Sequence, residues 1–195
     1  MSLMVFTGAV RSGKSALAEE LAGSRGGDVV AAVAGWDGDE EMARRIDAHR
    51  ASRPGAWTTL RADADPGWFA AVPDEAVLLL DCLGTLVSHA CYEAVGEAKA
   101  APSGAEAAVA ARVDALLTAL LARHGDTVVV TNETGWGVVP AWPSARIFRD
   151  ELGRANRRLV AAADAAYLVV DGRCIDLTTL PERPRWPSTH EEGDR

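Results

Sequence analysis

Five short apolar runs punctuate the chain, at residues 4–7 (MVFT), 29–34 (VVAAVA), 77–81 (VLLLD), 127–131 (TVVVT) and 166–170 (AYLVV). They lack the polar alternation of a half-exposed strand and are rich in β-branched side chains, the pattern of strands buried on both faces. Between them lie stretches with helical periodicity and helix-forming composition, at 15–22, 39–52, 105–124 and 144–163. Buried strands alternating with helices predict an α/β fold, a mostly parallel sheet with helices on both faces. Ligands of such sheets bind at the carboxyl ends of the strands, so the residues that follow each run are the first to inspect for chemistry.

The first run opens directly into Gly8-Ala9-Val10-Arg11-Ser12-Gly13-Lys14-Ser15, which fits G-x-x-x-x-G-K-[ST]. Between an apolar strand and a helix this pattern predicts a phosphate-binding loop. Glycines let the backbone turn tightly enough for several N–H groups to converge on phosphate oxygens, above the positive end of the helix dipole. Lys14 would reach the outer phosphates, and the Ser15 hydroxyl would complete the shell of a Mg²⁺ ion. The plainer alternative is a glycine turn without a ligand.

Two further strand ends carry polar residues. The run at 77–81 finishes in Asp81, whose carboxylate would hold Mg²⁺ opposite Ser15; the alternative is an Asp that caps the segment after the strand. The run at 127–131 leads into Asn132-Glu133-Thr134-Gly135-Trp136-Gly137-Val138-Val139-Pro140, a shaped loop with polar residues facing the site, or else a turn with polar caps.

Segment 40–54 places Arg44, Arg45, Arg50 and Arg53 around His49 in an acidic protein. Arg50 and Arg53, three apart, can reach one phosphate. Neighbouring cations favour a neutral imidazole, which is a phosphorus nucleophile. The alternative is a solvated basic helix face carrying a surface histidine. His89, His124 and His190 receive no catalytic role; His124 precedes Gly125 and would serve a helix C-terminus electrostatically.

Composition narrows the class. A chain of 195 residues, 48% hydrophobic, fits one catalytic domain over 1–180, with 181–195 expected as a mobile tail. The net charge of −8 argues against broad nucleic-acid binding. No run of about 18 uncharged apolar residues occurs, so no membrane span is expected. Cys82, Cys91 and Cys174 lack C-x-x-C spacing and predict reduced thiols in a cytoplasmic protein.

Together these segments resemble one family, the bifunctional adenosylcobinamide kinase / adenosylcobinamide-phosphate guanylyltransferases of cobalamin biosynthesis. The resemblance runs from about Met4 to about Val170. It rests on GAVRSGKS at 8–15, DEEMARRIDAHR at 39–50, RPGAW at 53–57, LLLDCL at 78–83, TNETGWGVVP at 131–140 and RIFRDELGRANRRL at 146–159. It implies a P-loop NTPase-like, RecA-like fold. It also implies phosphorylation of adenosylcobinamide by ATP or GTP, then GMP transfer from GTP to adenosylcobinamide phosphate through a guanylylated histidine. On the family motif that histidine is His49, with Lys14 as its catalytic companion at the phosphates. The nucleotide site implied comprises Gly8 to Ser15, Val33, Ala34, Gly35, Arg50, Ala51, Ser52, Arg53, Arg61 and Asp81, with Ser15 and Asp81 on Mg²⁺. Arg61 stands where the family often has Glu, and Ala9-Val10 where it usually has Gly-Ala. By analogy a homotrimer is expected. Two other readings fit the same loop: a P-loop kinase acting on another small alcohol, and a non-catalytic nucleotide-binding module.

Overall fold

A computed structural model describes residues 1–34, 54–96 and 100–183. Its elements run β1 (Leu3–Gly8), α1 (Lys14–Ser24), β2 (Val29–Ala34), β3 (Thr58–Ala62), a 3₁₀ turn (Pro66–Ala71), β4 (Val77–Asp81), α2 (Leu83–Val95), α3 (Ala105–Ala122), β5 (Thr127–Val130), α4 (Pro143–Ala162), β6 (Ala165–Val170), β7 (Arg173–Asp176) and a short 3₁₀ turn (Leu177–Thr179). The strands form one sheet in the order β3-β2-β4-β5-β1-β6-β7. Every pairing is parallel except that of β6 with β7. The sheet and the loop after β1 make this a P-loop NTPase-like α/β fold.

Side chains alternate between the two faces, as the pleat requires. Leu3 and Val5 of β1, Leu78 and Leu80 of β4 and Val129 of β5 pack into the larger core, with Leu86 and Val87 of α2, Leu116 and Leu117 of α3 and Leu152 and Leu159 of α4. Phe6, Val77, Leu79, Val128 and Val130 face the other way, onto Ala18 and Ala22 of α1. Among the described residues α1 therefore covers one face and α2, α3 and α4 the other. Each fully buried leucine contributes about 1.5–3 kcal/mol by removal from water. The helix expected at 39–52 and most of the tail expected at 181–195 lie outside the described residues.

Three elements go beyond the sequence reading. Helix α2 starts one residue after β4, with Cys82 as its N-cap. β3 is an exposed edge strand, TTLRA, with only Ala62 buried. β7 returns antiparallel through Asp171-Gly172, both at positive φ (48° and 74°), the geometry of a two-residue hairpin turn. The helix expected to reach residue 124 stops at Ala122. Arg123 then turns into extended backbone and is buried, while His124 is exposed, so the helix end rests on Arg123 rather than on His124.

The chain start is tied to the amino end of β5. Asp126 accepts hydrogen bonds from Arg25 Nε at 2.6 Å and from the Ser2 amide at 2.8 Å, and lies 3.5 Å from the terminal ammonium. The Arg25 hydrogen bond, with these positive neighbours, holds its carboxyl below the ordinary 3.8. A carboxyl depressed on folding stabilises the protein above its unfolded value, and the gain is lost as pH falls through the folded value. Asp126→Asn is therefore expected to lower the melting midpoint at about pH 7. Its difference from wild type should shrink as pH falls below the ordinary carboxylate range, as thermal melts at about pH 7 and at successively lower pH would show.

Candidate nucleotide site

The site gathers at the carboxyl ends of β1, β4 and β5. Gly8 ends β1 where a Cβ would strike the Val169 carbonyl and lie 2.9 Å from Ser12 Oγ, so no larger residue fits. Arg11 (φ 61°) and Gly13 (φ 94°) take left-handed backbone, which bends the loop into the first turn of α1. For Arg11 that conformation costs about 1–2 kcal/mol, strain of the kind held at binding loops. Helix α1 begins with no side-chain cap and no acid in its first turn. Its leading N–H groups are open to an anion.

Lys14 is buried, and its Nζ donates to the Ala9 carbonyl at 3.1 Å across the loop. An ammonium has three donors, so this contact holds the side chain along the loop with donors to spare. Ser12 Oγ is buried without a hydrogen-bond partner. Ser15 Oγ lies 3.2 Å from Asp81 Oδ1. A hydroxyl and a carboxylate this close are hard oxygen donors suited to Mg²⁺, which takes one or two protein ligands and completes its shell with water and phosphate. Among the described residues no group of three or more His, Cys, Asp or Glu is arranged to hold a metal ion.

Asp81 also sits in a register row. Arg61 of β3 pairs with Val33 of β2, Val33 with Asp81 of β4, and Asp81 with Val130 of β5. Arg61 and Asp81 are thus level, two strands or about 10 Å apart, on the face that α1 covers. The Asp81–Cys82 peptide is cis. Cys82 Sγ contacts Thr85 Oγ1 at 3.2 Å and Asn132 Oδ1 at 3.4 Å. Burial pushes its thiol up, so it stays protonated and packs rather than reacts.

A buried polar network shapes the end of β5. Thr131 Oγ1 donates to Asn156 Oδ1 at 2.7 Å, and Asn156 Nδ2 donates to the Asn132 carbonyl at 3.0 Å. The Glu133 amide then donates to the Gly8 carbonyl at 3.1 Å, joining this strand end to the phosphate loop.

Residues 4–177 match the family model described as cobinamide kinase / cobinamide phosphate guanyltransferase. The chain belongs to this family. It is 36% identical over 175 residues to the bifunctional adenosylcobalamin biosynthesis protein CobU of Escherichia coli K12, covering 87% of this chain and 96% of that protein. CobU of Salmonella typhimurium LT2 matches to the same extent. The bifunctional adenosylcobalamin biosynthesis protein CobP of Pseudomonas aeruginosa is 32% identical over 186 residues, 89% of this chain and 96% of its own. Membership makes this chain an enzyme of the kinase and guanyltransferase class.

Within this kinase and guanyltransferase frame the structure brings Gly8 to Ser15, Asp81 and the end of β2 at Val33 and Ala34 to one end of the sheet. Val33 and Ala34 are buried strand residues. Gly35, His49, Arg50, Ala51, Ser52 and Arg53 lie outside the described residues. The family match runs past Val170, through β7, and the β6–β7 turn has a role that the sequence reading missed. The Gly172 amide donates to the Ser12 carbonyl at 2.8 Å, and a Cβ on Gly13 would lie 3.3 Å from Gly172 Cα. The hairpin turn thus props the phosphate loop from behind. Its signal was the Asp-Gly pair between two apolar stretches. Asn156, which fixes the end of β5 from α4, carried no local signal.

Proposed function

We propose that this enzyme phosphorylates adenosylcobinamide with a nucleoside triphosphate and transfers GMP from GTP to the product through guanylylated His49. The observation that carries the reading is the match of residues 4–177 to a family named for both reactions. In the first reaction the hydroxyl oxygen of the aminopropanol arm attacks the γ-phosphorus; a P–O bond forms, the bond to the nucleoside diphosphate breaks, and the hydroxyl proton is released. The α1 N–H groups and Lys14 hold the phosphates and offset the charge that spreads over them. Ser15 and Asp81 would hold Mg²⁺, which neutralises phosphate charge when bound. In the second reaction an imidazole nitrogen of His49 attacks the α-phosphorus of GTP. A P–N bond forms and pyrophosphate leaves. An oxygen of cobinamide phosphate then attacks the same phosphorus, the P–N bond breaks and the imidazole is restored. Dividing the transfer in two lowers each barrier.

Incubation of the wild-type protein with α-labelled GTP and Mg²⁺, followed by denaturation, is expected to leave label on the chain that is stable to alkali and lost in acid. Added adenosylcobinamide phosphate should discharge it. A folded, GTP-binding protein that never carries label would defeat the histidine route. Phosphorylation of other alcohols but not of adenosylcobinamide would favour a P-loop kinase of different specificity. As further parts of the reading we infer a homotrimer and a cytoplasmic setting; the three free thiols agree with the latter.

A further inference from the structure

The loop that leaves β5 exposes more apolar surface than its surroundings explain. Trp136 is 82% exposed, Val138 95%, Val139 65% and Trp142 56%, and Val10 at the crest of the phosphate loop is 74% exposed. None of these side chains joins either core cluster. Four of these side chains fall within residues 136–142, and exposed apolar residues grouped in this way mark a contact site, whereas single ones do not.

The loop is also hydrogen-bonded within itself and to the first turn of α4. Trp136 Nε1 donates to Glu133 Oε2 at 3.0 Å, and Arg146 Nη1 donates to the carbonyls of Pro140 and Ala141 at 3.0 and 2.7 Å. The Pro140 and Ala141 carbonyls are therefore paired within the protein while the apolar side chains stay outward. Its base is bonded to the phosphate loop through Glu133 and Gly8.

We propose that this loop, with Val10, is the shelf on which the corrin macrocycle of the acceptor rests. The inference builds on the function proposed above. Phosphoryl transfer requires the acceptor hydroxyl to meet the outer phosphate over Lys14, so the body of the acceptor must lie on surface continuous with the phosphate loop. Cobinamide presents a broad ring with methyl groups on its faces and amide arms on its rim. The faces match two indoles and three valines. The rim matches an adjoining cleft of about 380 Å³ at the neighbouring ends of α3 and α4, lined by Glu106, Arg146, Asp150 and Arg154 among others. Arg146 belongs to both, pinning the loop and lining the cleft. A guanine ring would occupy only one of these aromatic side chains, which leaves most of the shelf unexplained by nucleotide.

The test uses the full chain carrying Val138→Ser with Trp142→Ser; Ser at position 142 is a favourable N-cap for α4. Trp136→Ser is the second variant. Calorimetric titration with adenosylcobinamide is expected to show affinity weakened by roughly tenfold or more in both. Affinity for GTP, covalent labelling from GTP and sedimentation should remain those of wild type. Equal adenosylcobinamide affinity in wild type and variants would overturn the shelf while leaving the functional reading intact. Loss of GTP affinity instead would assign the surface to the nucleotide base, and dissociation of an oligomer would assign it to a second copy; either overturns the proposal. Failure of the wild type itself to bind adenosylcobinamide would remove the functional reading, and the shelf with it.

Discussion

His49→Ala is expected to abolish covalent labelling from GTP and all guanylyl transfer while retaining phosphorylation of adenosylcobinamide; Lys14→Ala is expected to cripple both reactions. The two residues enter the chemistry differently. His49 forms a bond to phosphorus in the second reaction only, so its removal leaves no intermediate to discharge, and the first reaction never calls on it. Lys14 supplies charge at phosphates in both. It is buried in the loop, held across it by the Ala9 carbonyl at 3.1 Å. Preorganised charge of this kind, removed singly, costs roughly 10²–10³-fold in kcat. Parallel assays of ATP-dependent cobinamide phosphorylation and of label retained from GTP separate the variants. Loss of the kinase reaction in folded His49→Ala would show that one constellation serves both steps. Undiminished kinase activity in Lys14→Ala would remove the phosphate loop from the reaction altogether.

What the sequence made legible was what is local in the chain. The phosphate loop is eight consecutive residues whose meaning depends on a strand before and a helix after, and both are present as β1 and α1. The buried runs stood out because strands covered on both faces must be continuously apolar, and β2 and β4 are. β3 escaped because it is an edge strand whose residues meet solvent, so TTLRA carries no such run. Helix α2 escaped because only Cys82 separates it from β4, and an apolar stretch that begins LGTLV reads as strand, loop or buried helix with equal ease. The supports of the candidate site were hidden for a further reason. Asn156 meets Thr131 across 25 positions, and Gly172 meets Ser12 across the whole domain; nothing in local pattern announces such pairs. His49 stood out because its segment is dense in arginine, and its role rests on the family resemblance.

Arg123→Met is expected to be the most damaging substitution away from the nucleotide site. The guanidinium is buried at the amino ends of β4 and β5. Its Nη2 donates to the carbonyls of Pro73 and Ala76, each at 2.6 Å, and its Nη1 donates to the Asp126 carbonyl at 2.9 Å and Thr127 Oγ1 at 3.2 Å. Burial lowers its pKa from the usual arginine value, opposed by the carboxylates of Asp74 and Asp126. A Cβ on Gly125 would strike this guanidinium and the Asp74 carbonyl, so the backbone is shaped around it. Methionine fills similar volume but strands several buried acceptors at once, each costly to leave unpaired. The expected loss is about 3–5 kcal/mol, a large part of the roughly 5–15 kcal/mol that holds a domain folded. For a domain of this size that is a fall of about 10 °C or more in melting midpoint. Arg123→Lys should recover only part of it, because an ammonium lacks the planar fork that spans two strand ends. Lys14, Ser15 and Asp81 lie at the opposite, carboxyl end of the sheet. Well below its melting point the Met variant should therefore keep the wild-type KM for GTP. A melting midpoint unchanged by the substitution would mean that these carbonyls find water without Arg123. A raised KM in the still-folded variant would mean that the two ends of the sheet are coupled.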